Sequence, residues 1–91
     1  MLRVNTTHPE YRQLLAKARD ALRGGRDAWA MQSTGEKLAV ALALNRADWI
    51  AAMGYSLPEA LDRVADWLAF VPEVARTLDR DAVIGREVSP D

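Results

Sequence analysis

A four-residue signal, Ser or Thr followed three positions later by Glu, occurs three times in this chain, each time ahead of apolar residues at helical spacing. At a helix start the hydroxyl oxygen accepts from the backbone N–H three residues on, and the Glu carboxylate accepts from the first N–H. Three such capping boxes divide the 91 residues into short segments and indicate a small all-α domain. The copies are Thr7-x-x-Glu10, Ser33-x-x-Glu36 and Ser56-x-x-Glu59.

Length and composition favour a single small domain with its own core. The chain has 91 residues, of which 49% are apolar, and no Cys, so neither a disulfide nor a thiolate metal site can form. It has no apolar run long enough to cross a bilayer, and its first ten residues lack the apolar stretch of a secretory signal. We therefore expect a cytoplasmic protein without membrane contact. The excess of Arg over Lys, with abundant Ala, is typical of a GC-rich bacterial genome.

The first helix is predicted to start at His8 or Pro9 and to reach Leu22. Gly24 and Gly25 should end it, because glycine adopts the left-handed cap conformation without strain. Residues 26–32 fit either a helical turn or an ordered loop, with Trp29 packed on the core in both cases. The buried stripe should consist of Tyr11, Leu14, Leu15, Ala18 and Leu22.

Residues 38–44 are apolar without interruption, so a helix through them is apolar on every side. Such a helix must be buried, and this run is predicted to be the central element of the fold. Its Ala content and the capping box at Ser33 favour helix over strand. Asn45 should close it, and Asn45 is also a candidate cap for the next helix, with Asp48 in its first turn.

Three further helices are predicted in the second half of the chain. A short one over 46–53 should stop at Gly54, and a longer one should begin at Ser56 and break at Pro72, which lacks a backbone donor. A last helix should run to about Arg80. The core stripe of the longer helix is predicted to be Leu57, Leu61, Val64, Leu68 and Val71.

Taken together, these elements predict a small orthogonal bundle of four to five short helices around a central hydrophobic helix. The bundle forms one domain over residues 1–91, with residues 1–7 as a frayed lead-in and residues 82–91 as a flexible tail.

The charge of the chain is unevenly distributed. Residues 1–26 carry six Arg or Lys and two acidic residues, whereas residues 27–91 carry six and eleven. Docking of a basic first helix on an acidic remainder explains this better than a nucleic-acid arm, because the basic segment also has a core-facing stripe. A row of Arg12, Arg19 and Arg23 could nevertheless contact phosphates. A small nucleic-acid-associated regulator is therefore the second hypothesis for function.

The residues do not form a recognisable catalytic pattern. His8 is the only histidine, and residues 34–37 depart from the phosphate-loop pattern, so they are interpreted as a capped helix start. Acids on one side of the fourth helix could hold a divalent cation, but the neighbouring Arg63 favours a solvated charged face. We expect no enzyme activity, no metal ion and no cofactor. The acids concerned are Glu59, Asp62 and Asp66.

The aromatic residues offer the best functional lead. Trp67 lies at the edge of the predicted core stripe of the fourth helix, and Phe70 lies well outside it. Exposed aromatic side chains are typical binding hot spots, although the first helix or the tail could equally cover both rings. The first hypothesis for function is a small protein–protein interaction or assembly module, with a protein partner or a second copy of the chain bound at Trp67 and Phe70.

Overall fold

Helices make up the secondary structure of residues 8–87, the part of the chain that the computed structural model describes, with side-chain contacts described for residues 8–82. The predicted all-α bundle is confirmed, with five α-helices and no strand in this region. A single turn of 3-10 helix, Leu68–Phe70, precedes the last α-helix. The α-helices are α1 (Pro9–Ala30), α2 (Thr34–Ala43), α3 (Ala47–Ala52), α4 (Leu57–Arg63) and α5 (Val71–Glu87).

The centre of the bundle is α2, as the uninterrupted apolar run predicts. Leu38 and Val40 are fully inaccessible to solvent, and the alanines between and beside them are buried too. All four other α-helices contact α2. Each fully buried aliphatic side chain contributes about 1.5–3 kcal/mol of transfer free energy, so covering α2 is the main stabilising event of this fold.

A pair of tryptophans attaches the end of α1 to this core. Trp29 is 3% exposed, and its ring centroid lies 4.6 Å from that of Trp49 in α3. The Trp29 indole N–H donates to the Lys37 carbonyl oxygen of α2 at 2.8 Å. The prediction for Trp29 is confirmed, and the open question about residues 26–30 resolves in favour of helix.

Gly25 bends α1 where the sequence predicts its end. Its backbone leaves the helical region (φ 70, ψ −160), but the chain then resumes as helix to Ala30. That combination of angles is accessible almost only to glycine. At Gly24 an added Cβ would lie 2.5 Å from the Ala28 Cβ, so this position has no room even for an alanine side chain.

Two of the three predicted capping boxes form. Ser33 with Glu36 and Ser56 with Glu59 each make both reciprocal hydrogen bonds. The box predicted at Thr7 is wrong, because the N-cap of α1 is His8, the residue immediately before the helix. Its Nδ1 accepts from the backbone N–H of Glu10 at 3.1 Å. Thr7 itself lies outside the described residues.

Of the two roles predicted for Asn45 between α2 and α3, one is confirmed. Asn45 closes α2 with a left-handed backbone (φ 58). It does not cap α3, because the residue at that position is Arg46, which makes no cap hydrogen bond. The Arg46 guanidinium instead donates to the Asp48 carboxylate at 2.8 Å and lowers the pKa of that carboxyl group.

The predicted long fourth helix is wrong. The helix α4 ends at Arg63, and Pro72 lies in the first turn of α5, where its missing N–H needs no partner. The predicted stripe therefore breaks up, since Ala60 and Val64 are buried whereas three of its leucines are exposed. The exposed leucines are Leu57, Leu61 and Leu68.

The last helix is longer than predicted. It runs to Glu87 rather than to Arg80, so residues 82–87 of the predicted flexible tail are helical. Residues 88–91 and the predicted lead-in over residues 1–7 lie outside the described region. Val74 and Leu78 of α5 are buried, and a 2.7 Å hydrogen bond between the Tyr11 and Thr77 hydroxyls joins α5 to α1.

The bend at Gly25 generates a prediction about stability. Gly25→Ala should lower the free energy of unfolding by about 1–3 kcal/mol, because the backbone conformation is strained for any residue with a Cβ. Since no atom would lie within 4 Å of that Cβ, the cost comes from the backbone alone. Denaturant unfolding followed by circular dichroism measures the effect.

Gly35→Ala is the matched control for this experiment. Gly35 lies in the first turn of α2, and an added Cβ there also meets nothing within 4 Å. Stability should stay unchanged or rise by up to about 1 kcal/mol, since alanine favours helix over glycine. Equal losses at both positions would contradict the role assigned to the bend.

The capping box at Ser56 generates a prediction about pH. The Ser56 backbone N–H donates to Glu59 Oε1 at 2.8 Å, and this bond, together with one from the Ser56 hydroxyl, lowers the pKa of Glu59. A carboxyl group whose pKa is lower in the folded state stabilises the fold above its unfolded pKa, and that contribution is lost as the pH falls through the folded value.

Denaturant unfolding between about pH 7 and pH 3 should therefore show a stability loss that is smaller in Glu59→Gln than in the wild type. Gln keeps an oxygen acceptor but does not titrate. Asp62→Asn, an exposed carboxylate of the same helix, is the control, and it should retain the wild-type slope. If Asp62→Asn and Glu59→Gln change the slope equally, the capping box does not cause the loss of stability at low pH.

Candidate interaction surface

Trp67 and Phe70, the predicted partner-binding residues, are both half-buried and pack against the core. The Phe70 ring centroid lies 5.0 Å from that of His8, so this contact holds the start of α1 against the 3-10 turn. The two rings therefore have a packing role, and their role in binding stays a prediction.

The predicted basic row on α1 is largely engaged in ion pairs. Arg19 Nη2 lies 2.8 Å from Asp81 Oδ2 of α5, and Arg23 pairs with Asp20 one turn earlier. Arg12 makes no ion pair within residues 8–82. The bridge from Arg19 to Asp81 is an ion pair between α1 and α5, and both of its side chains are partly exposed.

The helices α1 and α5 run side by side in the same direction. Their contacts progress from Tyr11 with Thr77 to Arg19 with Asp81, so the residue numbers rise together along both helices. Two adjacent clefts lie along this pair, with volumes of about 540 and about 370 Å³. We call them together the α1–α5 groove. They share Leu22, Leu78 and Ala82.

Small residues line the larger cleft and leave its volume unfilled. Ala21 and Gly25 line it from α1, and Ala75 and Ala82 line it from α5. At its far end lie Trp49 and Arg46, whose guanidinium stacks on the indole ring at 4.4 Å. The cleft is thus mostly apolar, with a few polar groups at its edge, as is usual for binding sites.

Leu22 projects from the middle of this groove. Its side chain is 59% exposed, and it lines both clefts. The sequence assigned Leu22 to the core stripe of α1, but the neighbouring Ala21 takes the buried position instead. An exposed leucine therefore lies directly beside an apolar hollow.

The two edges of the groove differ in charge. The α1 edge carries Arg19 and Arg23, and the α5 edge carries Asp79 and Asp81. Asp79 has no ion pair among the described side chains. The groove thus has an apolar floor between an edge with two arginines, both paired within the chain, and an edge with two aspartates, of which Asp81 is paired with Arg19.

The other chemical candidates do not come together over residues 8–87. This region holds no group of three His, Asp or Glu that could bind a metal ion. Of the acids predicted on one helix face, Asp66 falls in the turn after α4, and Glu59 is engaged by its cap rather than by Arg63. His8 serves as the N-cap of α1. None of the described helices has both the length and the apolar character needed to cross a membrane.

Sequence reasoning missed the α1–α5 groove because helical periodicity alone cannot distinguish a covered stripe from an uncovered one. The available signal was the spacing of small residues, Ala21 with Gly25 and Ala75 with Ala82, each pair on one side of its helix.

The chain matches no protein-family model, no curated protein and no solved structure.

Proposed function

We propose that this chain is a small assembly module that binds a second copy of itself through the α1–α5 groove. The observation that carries the proposal is the exposed Leu22 beside an apolar cleft of about 540 Å³ on one surface. A two-fold dimer uses the same surface on both subunits, so that surface must contain both the projection and the hollow that receives it. The groove meets this requirement.

The charges along the groove favour one orientation of the two copies. A two-fold axis running along the groove places α1 of each copy over α5 of the other, so each basic edge faces an acidic one. An axis perpendicular to the groove places like edges over each other. Complementary charges across an interface favour the correct register and suppress others. We therefore propose the first arrangement.

Apolar burial supplies the attraction in this arrangement. Leu22 of each copy would move out of water into the cleft of the other copy. That cleft is lined by the other copy's Ala21, Ala75 and further apolar groups. Full burial of an exposed leucine is worth about 1.5–3 kcal/mol, and the symmetry counts it twice. Residues at the centre of an interface with a charged border are the usual hot spots.

The second hypothesis, a nucleic-acid-associated regulator, depends on Arg12, Arg19 and Arg23. Two of these three guanidinium groups already have a carboxylate partner within the chain. Phosphate binding would have to compete with those partners. A salt bridge across the proposed dimer would meet the same competition, so the preference for self-association over nucleic-acid binding rests on the apolar cleft beside Leu22 and not on these charges.

Substitution of the projecting leucine tests the proposal. Leu22→Asp should weaken self-association at least about tenfold, because it places a charge in an apolar hollow on both sides of the dimer. Sedimentation equilibrium over a range of concentrations measures the dissociation constant. Circular dichroism checks that the variant keeps its helices.

Leu57→Asp is the matched control, since Leu57 is 50% exposed on α4, outside the groove. It should leave the dissociation constant unchanged. A wild-type chain that stays monomeric at millimolar concentration would overturn the proposal. Dissociation by Leu57→Asp alone would move the interface to the α4 surface near Trp67 and Phe70.

Charge reversal tests the orientation. Arg23→Glu should weaken self-association, because it places an acid opposite the edge that carries Asp79 and Asp81 in the proposed dimer. Sedimentation equilibrium measures the dissociation constant of this variant. Unchanged or stronger self-association in Arg23→Glu would exclude α1 lying over α5.

A further inference from the structure

A separate cleft of about 450 Å³ lies where the end of α1, the start of α2 and the end of α3 meet. It shares no lining residue with the α1–α5 groove. Its apolar wall consists of Trp29, Met53 and alanines of α1 and α3, and Tyr55 closes it from the loop before α4. Its polar lining residues are Arg26, Thr34, Lys37 and Tyr55.

The charge of this cleft is not compensated. Arg26 and Lys37 both line it, no carboxylate does, and neither cation has an ion pair among the described side chains. The Lys37 ammonium lies 5.6 Å from the centroid of the Trp29 ring. A neutral aromatic ring thus holds the Lys37 ammonium at the cleft, and the positive charge of the ammonium stays available to a ligand. By contrast, each cleft of the α1–α5 groove includes an aspartate.

Two hydroxyl groups complement the cations. Thr34 and Tyr55 line the cleft, and neither hydroxyl has a hydrogen-bond partner among the described side chains. A hydroxyl can donate to an anionic oxygen, and such charge-assisted bonds are stronger than neutral ones. The cleft therefore combines two positive charges, two available hydroxyls and an apolar wall.

We propose that this cleft binds a small phosphate monoester that carries an apolar or aromatic group. A phosphate monoester has a charge of about −1.5 to −2 at neutral pH, which matches two cations better than a single carboxylate does. Its oxygens would accept from Arg26, Lys37 and the two hydroxyls, and the attached group would lie on the wall formed by Met53 and the alanines. This site is independent of the proposed dimer.

The Trp29 indole N–H reports directly on the cleft, because it donates to the backbone oxygen of Lys37 at 2.8 Å. In a proton–nitrogen correlation spectrum, phenyl phosphate should shift this signal in a saturable manner and leave the Trp67 indole signal in place. Phenol, which has the ring without the phosphate, should cause no saturable shift. Inorganic phosphate should bind more weakly than phenyl phosphate, since it lacks the apolar group.

Two pairs of variants distinguish a site from general charge attraction. Lys37→Gln and Arg26→Gln should each weaken phenyl phosphate binding about tenfold, since each removes a charge-assisted contact. Lys17→Gln and Arg63→Gln remove the same charge from positions outside the cleft, where neither cation has an ion pair within the described region, and should leave the affinity unchanged. The free spectra of all four variants show whether the fold is kept.

Three results would overturn the proposal. The first is an unshifted Trp29 signal at millimolar phenyl phosphate, and the second is equal binding of phenol and phenyl phosphate. The third is an equal loss of affinity in Arg63→Gln and Lys37→Gln, which would reduce the effect to net charge.

Discussion

From Leu38 to its end at Ala43, α2 has no polar side, and the rest of the fold follows from the need to cover this part of the helix. A surface helix needs only one packed face, but Leu38, Val40 and their alanine neighbours are buried together on all sides of one helix. The other four α-helices each supply a covering surface. Helices as short as α3 and α4 would be marginal alone and owe their stability to this packing.

Covering α2 leaves some apolar side chains without a partner. In the middle of α1, the buried positions are taken by Ala18 and Ala21, and Leu22 is turned outwards beside them. In α4, Ala60 faces the core, as does Val64 directly after it, and Leu57 and Leu61 face solvent. Small residues on the inside bring the helices close to α2, while the larger ones outside remain available for association.

The bend at Gly25 connects the two candidate sites. It lets the last turns of α1 leave the direction of the helix, so that Trp29 reaches Trp49 and the backbone of α2. The same bend places Gly25 in the lining of the α1–α5 groove and Arg26 in the lining of the cleft between α1, α2 and α3. One backbone conformation thus shapes a hollow on one side of α1 and a charged cleft on the other.

Local patterns in the sequence determined the all-α class, the burial of α2, two of the three capping boxes and the left-handed closure at Asn45. Each of these depends on residues within one or two turns of one another, and short-range hydrogen bonds and helical periodicity are enough to define them. Only the tertiary structure decided that α4 ends before Val64, that α5 continues past Arg80, and that Leu22 is exposed while Trp67 and Phe70 are half-buried. These outcomes depend on which surfaces the neighbouring helices leave uncovered. Apolar residues recur along the sequence with the same spacing whether or not another helix covers them.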